Sequence, residues 1–334
     1  MLMAFMHTAW QFYVIRFLLG AAEASLYPVI YASCVPRFFE PRERARAIAA
    51  LLTSLQVAGI IGAPLAGWLV GVPVFGLKGW QALFLLEAVP ALAMGVAVIF
   101  WMADWPREAK WLEPEEREHL ERQFARETAA KQAARHYTLG EAFRDREVLK
   151  LSLIYFLWIT GFWGFNYWMP TVLKDISGWS NAGIGQAVAL AMAVSLAASL
   201  YTGHSSSRRH EKRWHAAIHL FLAAVGMGAA AYAKAPAAYF FFMVLAAVGT
   251  FAPLAVWWSY PTTFLSGAAA AGAVGLINSA GNVGGFVGPY LTGWVKDTTG
   301  SFAGAMLYLG ISLAAAGGLI LTLRKGLPAG NGTK

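Results

Sequence analysis

The feature that most constrains this chain is the apolar run from Trp10 to Tyr31, which is long enough to cross a bilayer yet contains an arginine and a glutamate. A charge near the bilayer centre costs about 2.5–3.5 kcal/mol on the insertion scale, so such residues normally face a protein interior or water. Glu23 follows Arg16 by seven positions, which places both on one helix face, within about 20° of each other. The pattern indicates a functional pair; a structural ion pair with a neighbouring helix is the alternative.

The composition indicates that the chain contains further apolar runs of this kind. Hydrophobic residues make up 58% of the chain, charged residues 13%, and the mean hydropathy is +0.51. Apolar segments of about 20 residues recur, as a hydrocarbon core of about 30 Å requires. We therefore predict an all-α, multi-pass protein of the lipid bilayer. The predicted spans are 10–31, 47–70, 81–101, 148–172, 183–202, 214–233, 237–258, 270–293 and 303–323.

The net charge of +8 comes mainly from short loops beside apolar runs. This distribution follows the positive-inside bias of membrane proteins and argues against nucleic acid as a partner. It predicts that loops 37–46 and 205–213 and the C-terminus are cytoplasmic. The single cysteine, Cys34, excludes a disulfide within the chain.

A long hydrophilic stretch and an internal repeat divide the chain. Residues 102–147 hold 11 of the 18 acidic residues and are predicted to form a solvated cytoplasmic linker with one helix. It separates a partial N-terminal bundle, 1–101, from a six-helix bundle and short tail, 148–334. GIIGAPLAGWLV, from Gly59, resembles GGFVGPYLTGWV, from Gly284, although Gly/Ala-rich helices can also look alike by chance. If the two stretches are equivalent helices, three helices are missing from the front.

Four stretches in order resemble the major facilitator superfamily and, within it, the anion:cation symporter family: RFLLGAAEASLYPVIY, RFFEPRERARAIA, GAPLAGW and WPREAKWLEPEEREHL. The resemblance implies twelve helices in two halves, so this chain resembles a copy that lacks helices 1, 2 and most of 3. It also implies secondary active transport of a small organic anion (a sugar acid, hydroxy acid or aromatic carboxylate), with protons, across the inner membrane.

The resemblance also assigns roles by position. It implies that Arg16 binds the substrate carboxylate and that Glu23 couples transport to protons. Gln56 matches a polar substrate contact, Trp257 and Trp258 match an aromatic wall, and Asn278 matches a cavity amide. The chain departs from the family in lacking the helix-1 acid, and in having serines in GHSSSRRHEKRW where the family has an acidic residue in its gating motif.

The chemistry of the two charges agrees with these roles. A guanidinium keeps its charge and pairs bidentately with a carboxylate. A carboxylate in an apolar span can instead gain and lose a proton, because burial raises its pKa toward neutrality. Arg16 and Glu23 thus suit an anion and a proton, respectively.

Further polar residues lie inside predicted spans. Asn278 and Asn282 lie one turn apart and favour a cavity lining, whereas Asn166 and Tyr167 fit either substrate contact or helix packing. Glu87, near a span end, is better interpreted as a structural contact. The pair of His215 and His219 could in principle hold a metal, but no third ligand lies nearby in the sequence. Pro64 and Pro289 are interpreted as gating or packing features.

No nucleotide-binding loop, nucleophile elbow or metal cluster occurs in the sequence, so we expect neither an enzyme nor a cofactor. The main hypothesis is a monomeric secondary transporter working by alternating access. An inactive fragment of such a transporter, or an efflux or uniport member of the same superfamily, is the alternative.

The charge pattern makes a topological prediction. A reporter that is active only in the cytoplasm should work when fused after Arg46, Lys131 or Arg213, and fail when fused after Lys78 or Lys234. Reporter activity in cells measures this directly. The reverse pattern at any two of these sites would overturn the assignment.

Overall fold

The structure, a computed structural model, describes residues 1–24, 26–30, 34–40, 43–71, 73, 76–133, 140, 144–209, 211–258 and 267–323. Two short 3₁₀ turns, Leu2–Phe5 and Pro106–Glu108, accompany the α-helices. The helices are α1 (Ala9–Glu23), α2 (Leu26–Val29), α3 (Val35–Phe38), α4 (Arg44–Val70), α5 (Gly79–Trp101), α6 (Pro114–Ala133), α7 (Arg146–Ser177), α8 (Asn181–Arg209), α9 (Arg213–Ala230), α10 (Pro236–Phe251), α11 (Leu254–Trp257), α12 (Gly267–Thr299) and α13 (Ala303–Leu321).

The helices confirm the predicted all-α membrane fold. Five of those described are long and apolar enough to cross a membrane: 46–70, 79–101, 146–177, 181–209 and 303–321. The predicted span 10–31 is shorter as a helix, because α1 ends at Glu23 and the brief α2 follows; Tyr31 lies outside the described residues. The count of nine spans stays a prediction.

The chain forms two compact units. The N-terminal unit comprises residues 1–51 and 65–134, and the C-terminal unit comprises 52–64 and 135–334. The largest fully buried side chains of the C-terminal unit include Trp158, Phe165 and Trp257. In the N-terminal unit, α1 has no buried residue and α5 has one, Ala82. The sequence-based division at 101 and 148 stays a prediction.

Close backbone contact between α7 and α12 organises the C-terminal unit. A Cβ atom added at Gly284 would lie 2.3 Å from the carbonyl oxygen of Phe156, and one at Gly288 would lie 2.1 Å from that of Thr160. One at Gly164 would lie 3.2 Å from the carbonyl carbon of Gly288. Small residues four apart allow such contact, which drives association of helices in lipid.

The proline of α12 lies where neighbouring side chains satisfy the backbone. The indole of Trp168 donates to the carbonyl of Pro289 at 3.0 Å, and the hydroxyl of Thr292 donates to that of Gly288 at 2.8 Å. The hydroxyl of Tyr308 also donates to Gly288. These carbonyls are not the one that Pro289 leaves without a backbone donor, which is the carbonyl of Gly285 four residues earlier. The interpretation of Pro64 and Pro289 as gating or packing features stays a prediction.

The helix of the linker, α6, packs against its own unit. Glu127 accepts two hydrogen bonds from Arg44, at 2.8 and 2.9 Å, and both side chains are about four-fifths buried, with 20% and 22% exposed. His119 lies 3.0 Å from Glu40. The predicted helix is confirmed, and the bidentate pair, which is the stronger type of charge-assisted contact, joins it to Arg44 at the start of α4.

The α7–α12 contact predicts opposite effects of one substitution at two glycines of α12. Gly288→Ala should destabilise the C-terminal unit by about 1–3 kcal/mol, because the new Cβ overlaps Thr160. Gly275→Ala is the matched control: its Cβ meets nothing within 4 Å, so the gain in helix propensity should leave stability equal or raise it by up to about 1 kcal/mol. Thermal unfolding in detergent compares the two. Equal midpoints would contradict the contact.

Candidate functional site

The predicted charged pair lies on α1 of the N-terminal unit. A capping box begins the helix: Thr8 accepts from the backbone of Gln11 at 3.3 Å, and the Gln11 side chain accepts from the backbone of Thr8 at 3.2 Å. Arg16 and Glu23 are both exposed on this single helix, as the spacing predicts. The guanidinium of Arg16 lies 5.3 Å from the ring centre of Phe12, one turn earlier.

Neither charge is paired within the part of the chain that the structure describes. The ion pairs among the described residues join other side chains. No described carboxylate therefore lies within 4.0 Å of the guanidinium of Arg16. An arginine in an apolar helix retains its charge, and an anion would compensate for it. Among the described residues, no carboxylate compensates for the charge of Arg16.

Gln56 lies in the segment of α4 that belongs to the C-terminal unit. Its side chain is only 3% exposed, and its amide donates to the hydroxyl of Ser199 on α8 at 2.8 Å. That hydroxyl in turn donates to the carbonyl of Ser195 at 2.9 Å. The amide of Gln56 thus links two helices here, and a substrate would have to compete with Ser199 for it.

On α7, Asn166 donates to the carbonyl of Phe162 at 2.7 Å, which is a contact within its own helix. Tyr167 is 58% exposed, and its ring lies 5.5 Å from that of Trp163. Tyr167 therefore presents an aromatic surface to its surroundings, whereas the amide of Asn166 is partly used by the backbone.

Trp257 and Trp258, the predicted aromatic wall, belong to a larger aromatic cluster. Trp257 is only 1% exposed and packs in the core of its unit, so a wall that faces a cavity stays a prediction. Tyr155 stacks on Trp257 at 5.5 Å and 11°, and meets Trp258 edge-on at 5.3 Å. Trp158 packs edge-on against Trp257 at 5.5 Å and donates to the carbonyl of Thr250 at 3.1 Å. Sequence reasoning missed Tyr155 and Trp158, although their three-residue spacing on one helix face was a usable signal.

The amide pair on α12 lies beside this cluster. Asn278 is half-buried and Asn282 is exposed. A Cβ atom at Gly281, between them in sequence, would lie 2.3 Å from the ring of Tyr155. Among the described residues, no hydrogen bond involves the side chain of either asparagine. Their role as a cavity lining stays a prediction.

The histidine pair belongs to a hydrogen-bonded network at the loop between α8 and α9. His215 lies 3.0 Å from both Glu211 and the hydroxyl of Ser205, and His219 lies 3.1 Å from the hydroxyl of Thr202. Within the described residues no group of three or more potential metal ligands occurs.

Glu211 supplies a carboxylate to this loop, a few residues after the serines noted in the sequence. It accepts from the backbone N–H groups of Trp214 at 2.9 Å and His215 at 3.2 Å. Burial raises the pKa of Glu211, but these hydrogen bonds and His215 lower it more, so its pKa lies below the ordinary value. The charged form therefore caps the N-terminus of α9.

Glu87 is exposed on α5. Its interpretation as a structural contact stays a prediction.

The candidate residues thus fall into two groups, each within one unit. Arg16 and Glu23 lie on α1 of the N-terminal unit; Gln56, Asn166, Tyr167, Trp258, Asn278 and Asn282 lie in the C-terminal unit. The first group offers a cation and a carboxylate, and the second offers amides and aromatic rings.

Known proteins are similar to this chain in sequence or in fold. A protein of Agrobacterium vitis named for tartrate transport is 37% identical over 334 residues, which is 99% of this chain and 76% of that protein. A quinolone resistance transporter of Acinetobacter baumannii is 32% identical over 324 residues, covering 96% of this chain and 74% of that protein.

Among solved structures, a bacterial homolog of the human lysosomal transporter Spinster, inward-facing and unoccupied, has a TM-score of 0.64. It is 16% identical, and the match covers 96% of this chain and 77% of that one, so it supports the fold alone. The sequence profile of the Major Facilitator Superfamily matches residues 1–289. The chain, whose described helices carry charges and amides within apolar segments, belongs to the Major Facilitator Superfamily of membrane transporters.

Proposed function

We propose that this protein is a secondary active transporter that moves a small organic anion together with a proton across the inner membrane. The observation that carries the proposal is the position of Arg16 and Glu23 on one apolar helix, α1, without a partner of opposite charge among the described residues. The tartrate relative supports a carboxylate as the cargo. We place the C-terminus in the cytoplasm and expect the protein to work as a monomer.

In this proposal the two charges have separate tasks. Arg16 binds the substrate carboxylate through its two parallel N–H donors, and Glu23, about 10.5 Å further along the same face, carries the proton. Protonation of Glu23 removes a negative charge from the face that the anion approaches. Proton binding therefore favours anion binding, which is the linkage that symport requires.

Within the C-terminal unit, amides and aromatic rings offer contacts for a substrate. Asn278 and Asn282 contact its polar groups, together with Gln56 and Asn166, whose amide hydrogens would exchange their present partners for the substrate. Tyr167 and Trp258 contact its apolar surface. An export direction is the second candidate, because the Acinetobacter relative is a resistance transporter.

The proposed role of Arg16 predicts that a positive charge alone is not sufficient for tight binding of the anion. Arg16→Lys should weaken anion binding about tenfold, because an ammonium cannot reproduce the bidentate fork and about 1.4 kcal/mol is a factor of ten. Arg122→Lys, an exchange at an exposed pair with Glu118, is the control and should leave binding unchanged. Tartrate binding to the purified protein measures both. Unchanged affinity in Arg16→Lys would contradict the assignment.

The proposed role of Glu23 predicts that its substitution abolishes proton-driven accumulation of the anion but not exchange of the anion across the membrane. Glu23→Gln mimics the protonated form, so in proteoliposomes counterflow of the anion should persist while uptake driven by an inward proton gradient should vanish. Glu87→Gln, which removes the other carboxylate inside a span, should retain both activities. If Glu23→Gln still concentrates substrate against its gradient, Glu23 is not the coupling site.

A further inference from the structure

One exposed face of α8 changes from apolar to basic along the helix. Its residues are all exposed: Leu190, Val194, Ala197, Tyr201, His204 and Arg208. At about 100° per residue, each of them lies within about 40° of the direction of Leu190, so the six share one side of the helix. We call these six residues the α8 stripe.

The opposite side of α8 packs within the C-terminal unit. A Cβ atom added at Gly59 of α4 would lie 2.8 Å from Cγ of Met192, and the amide of Gln56 donates to the hydroxyl of Ser199 at 2.8 Å. Met192 and Ser199 lie about 160–180° around the helix from Leu190. The α8 stripe therefore faces away from this contact, and its first three residues are apolar, as contact with hydrocarbon requires.

The spacing along the α8 stripe agrees with the layers of a bilayer. Tyr201 lies about 10.5 Å beyond Val194, and Arg208 lies about 10.5 Å beyond Tyr201. Tyr201 is 69% exposed, and tyrosine is enriched where hydrocarbon meets the headgroups. Because Arg208 follows this ring on the same side of the helix, its guanidinium lies at the level of the lipid phosphates.

A closed turn holds the start of α9 beside the end of α8. The N–H of Glu211 donates to the carbonyl of Ser206 at 3.2 Å, and the hydroxyl of Ser206 donates to the carbonyl of Glu211 at 2.6 Å. Trp214, in the first turn of α9, is 53% exposed. The turn thus adds a second amphipathic ring, of the kind found at membrane interfaces, to the same end of the unit.

Arg208 and Arg209 end α8 with no carboxylate partner among the described residues. Glu211 is the only acidic residue between positions 176 and 296. One of its oxygens accepts from the N–H of Trp214 at 2.9 Å; the other accepts from the N–H of His215 at 3.2 Å and lies 3.0 Å from Nδ1 of that residue. Both oxygens are therefore used at the start of α9, and the two arginines lack a counterion from their own loop.

We propose that this end of the C-terminal unit binds the headgroup of an anionic phospholipid. Arg208 and Arg209 bind the phosphate, because a guanidinium pairs with phosphate oxygens through two parallel N–H donors. Tyr201 and Trp214 contact the glycerol region, and the acyl chains lie along the apolar part of the α8 stripe. A zwitterionic lipid carries its own cation beside the phosphate, so it competes poorly for the arginines. The site is independent of the cargo proposed above.

Native mass spectrometry of the purified full chain, released from a neutral detergent, measures the Kd of phosphatidylglycerol and of phosphatidylcholine. Phosphatidylglycerol should bind at least about fivefold more tightly. Arg208→Gln and Arg209→Gln should each weaken its binding about fivefold, because each basic residue near an anionic headgroup adds an attraction of this order. Arg208→Lys keeps the charge and should retain most of the affinity. Arg126→Gln, at an exposed arginine of α6, is the matched control and should leave the affinity unchanged.

Three results would overturn the lipid site: equal affinity for the two lipids, arginine variants that match Arg126→Gln, or inorganic phosphate that displaces phosphatidylglycerol at equal concentration. The last result would show a site for free phosphate instead. Thermal midpoints of the lipid-free variants equal to that of the unaltered chain show that a lost affinity reflects the site rather than misfolding. Neither Arg16 nor Glu23 is altered, so failure of the lipid site leaves the proposed transport function intact.

Discussion

The approach of the α7 and α12 backbones is the contact on which the C-terminal unit depends. Helices in a bilayer gain little from burying apolar surface against each other, since lipid is equally apolar, so packing and hydrogen bonds must hold them together. Gly284 and Gly288 let α12 lie directly on the carbonyls of α7. The same contact places Gly285 beneath Trp163 and Gly281 beside Tyr155, so it also sets where the aromatic groups lie.

Polar groups in the apolar helices are of two kinds, and their partners distinguish them. Ser195, Ser199 and Thr250 donate to carbonyls of their own helix one turn earlier and are internally satisfied. Arg16 and Asn282 have no such partner among the described residues. Since an unpartnered polar group is costly in hydrocarbon, the second kind is where the proposed function expects contact with water or substrate.

Charged contacts in the loops serve a different purpose. In the N-terminal unit, the bidentate contact of Glu127 with Arg44 holds α6 at the start of α4. In the C-terminal unit, Glu211 caps α9 and contacts His215, while Arg213 donates to the carbonyls of Leu321 at 3.4 Å and Leu323 at 3.0 Å at the end of α13. Such contacts order helix ends where the cation or carboxylate satisfies backbone groups that have no partner within the helix.

The sequence by itself determined the class, most helices and the charged pair, because hydropathy and the helical repeat are local properties: α7 and α13 begin within two residues of their predicted starts, and Arg16 and Glu23 share α1. It did not reveal the bond of Gln56 to Ser199, the rings of Tyr155 and Trp158 beside Trp257, or the docking of α6. Only the tertiary structure decided these, because each depends on which helix faces lie together, and residues far apart in sequence carry no local pattern that specifies the partner.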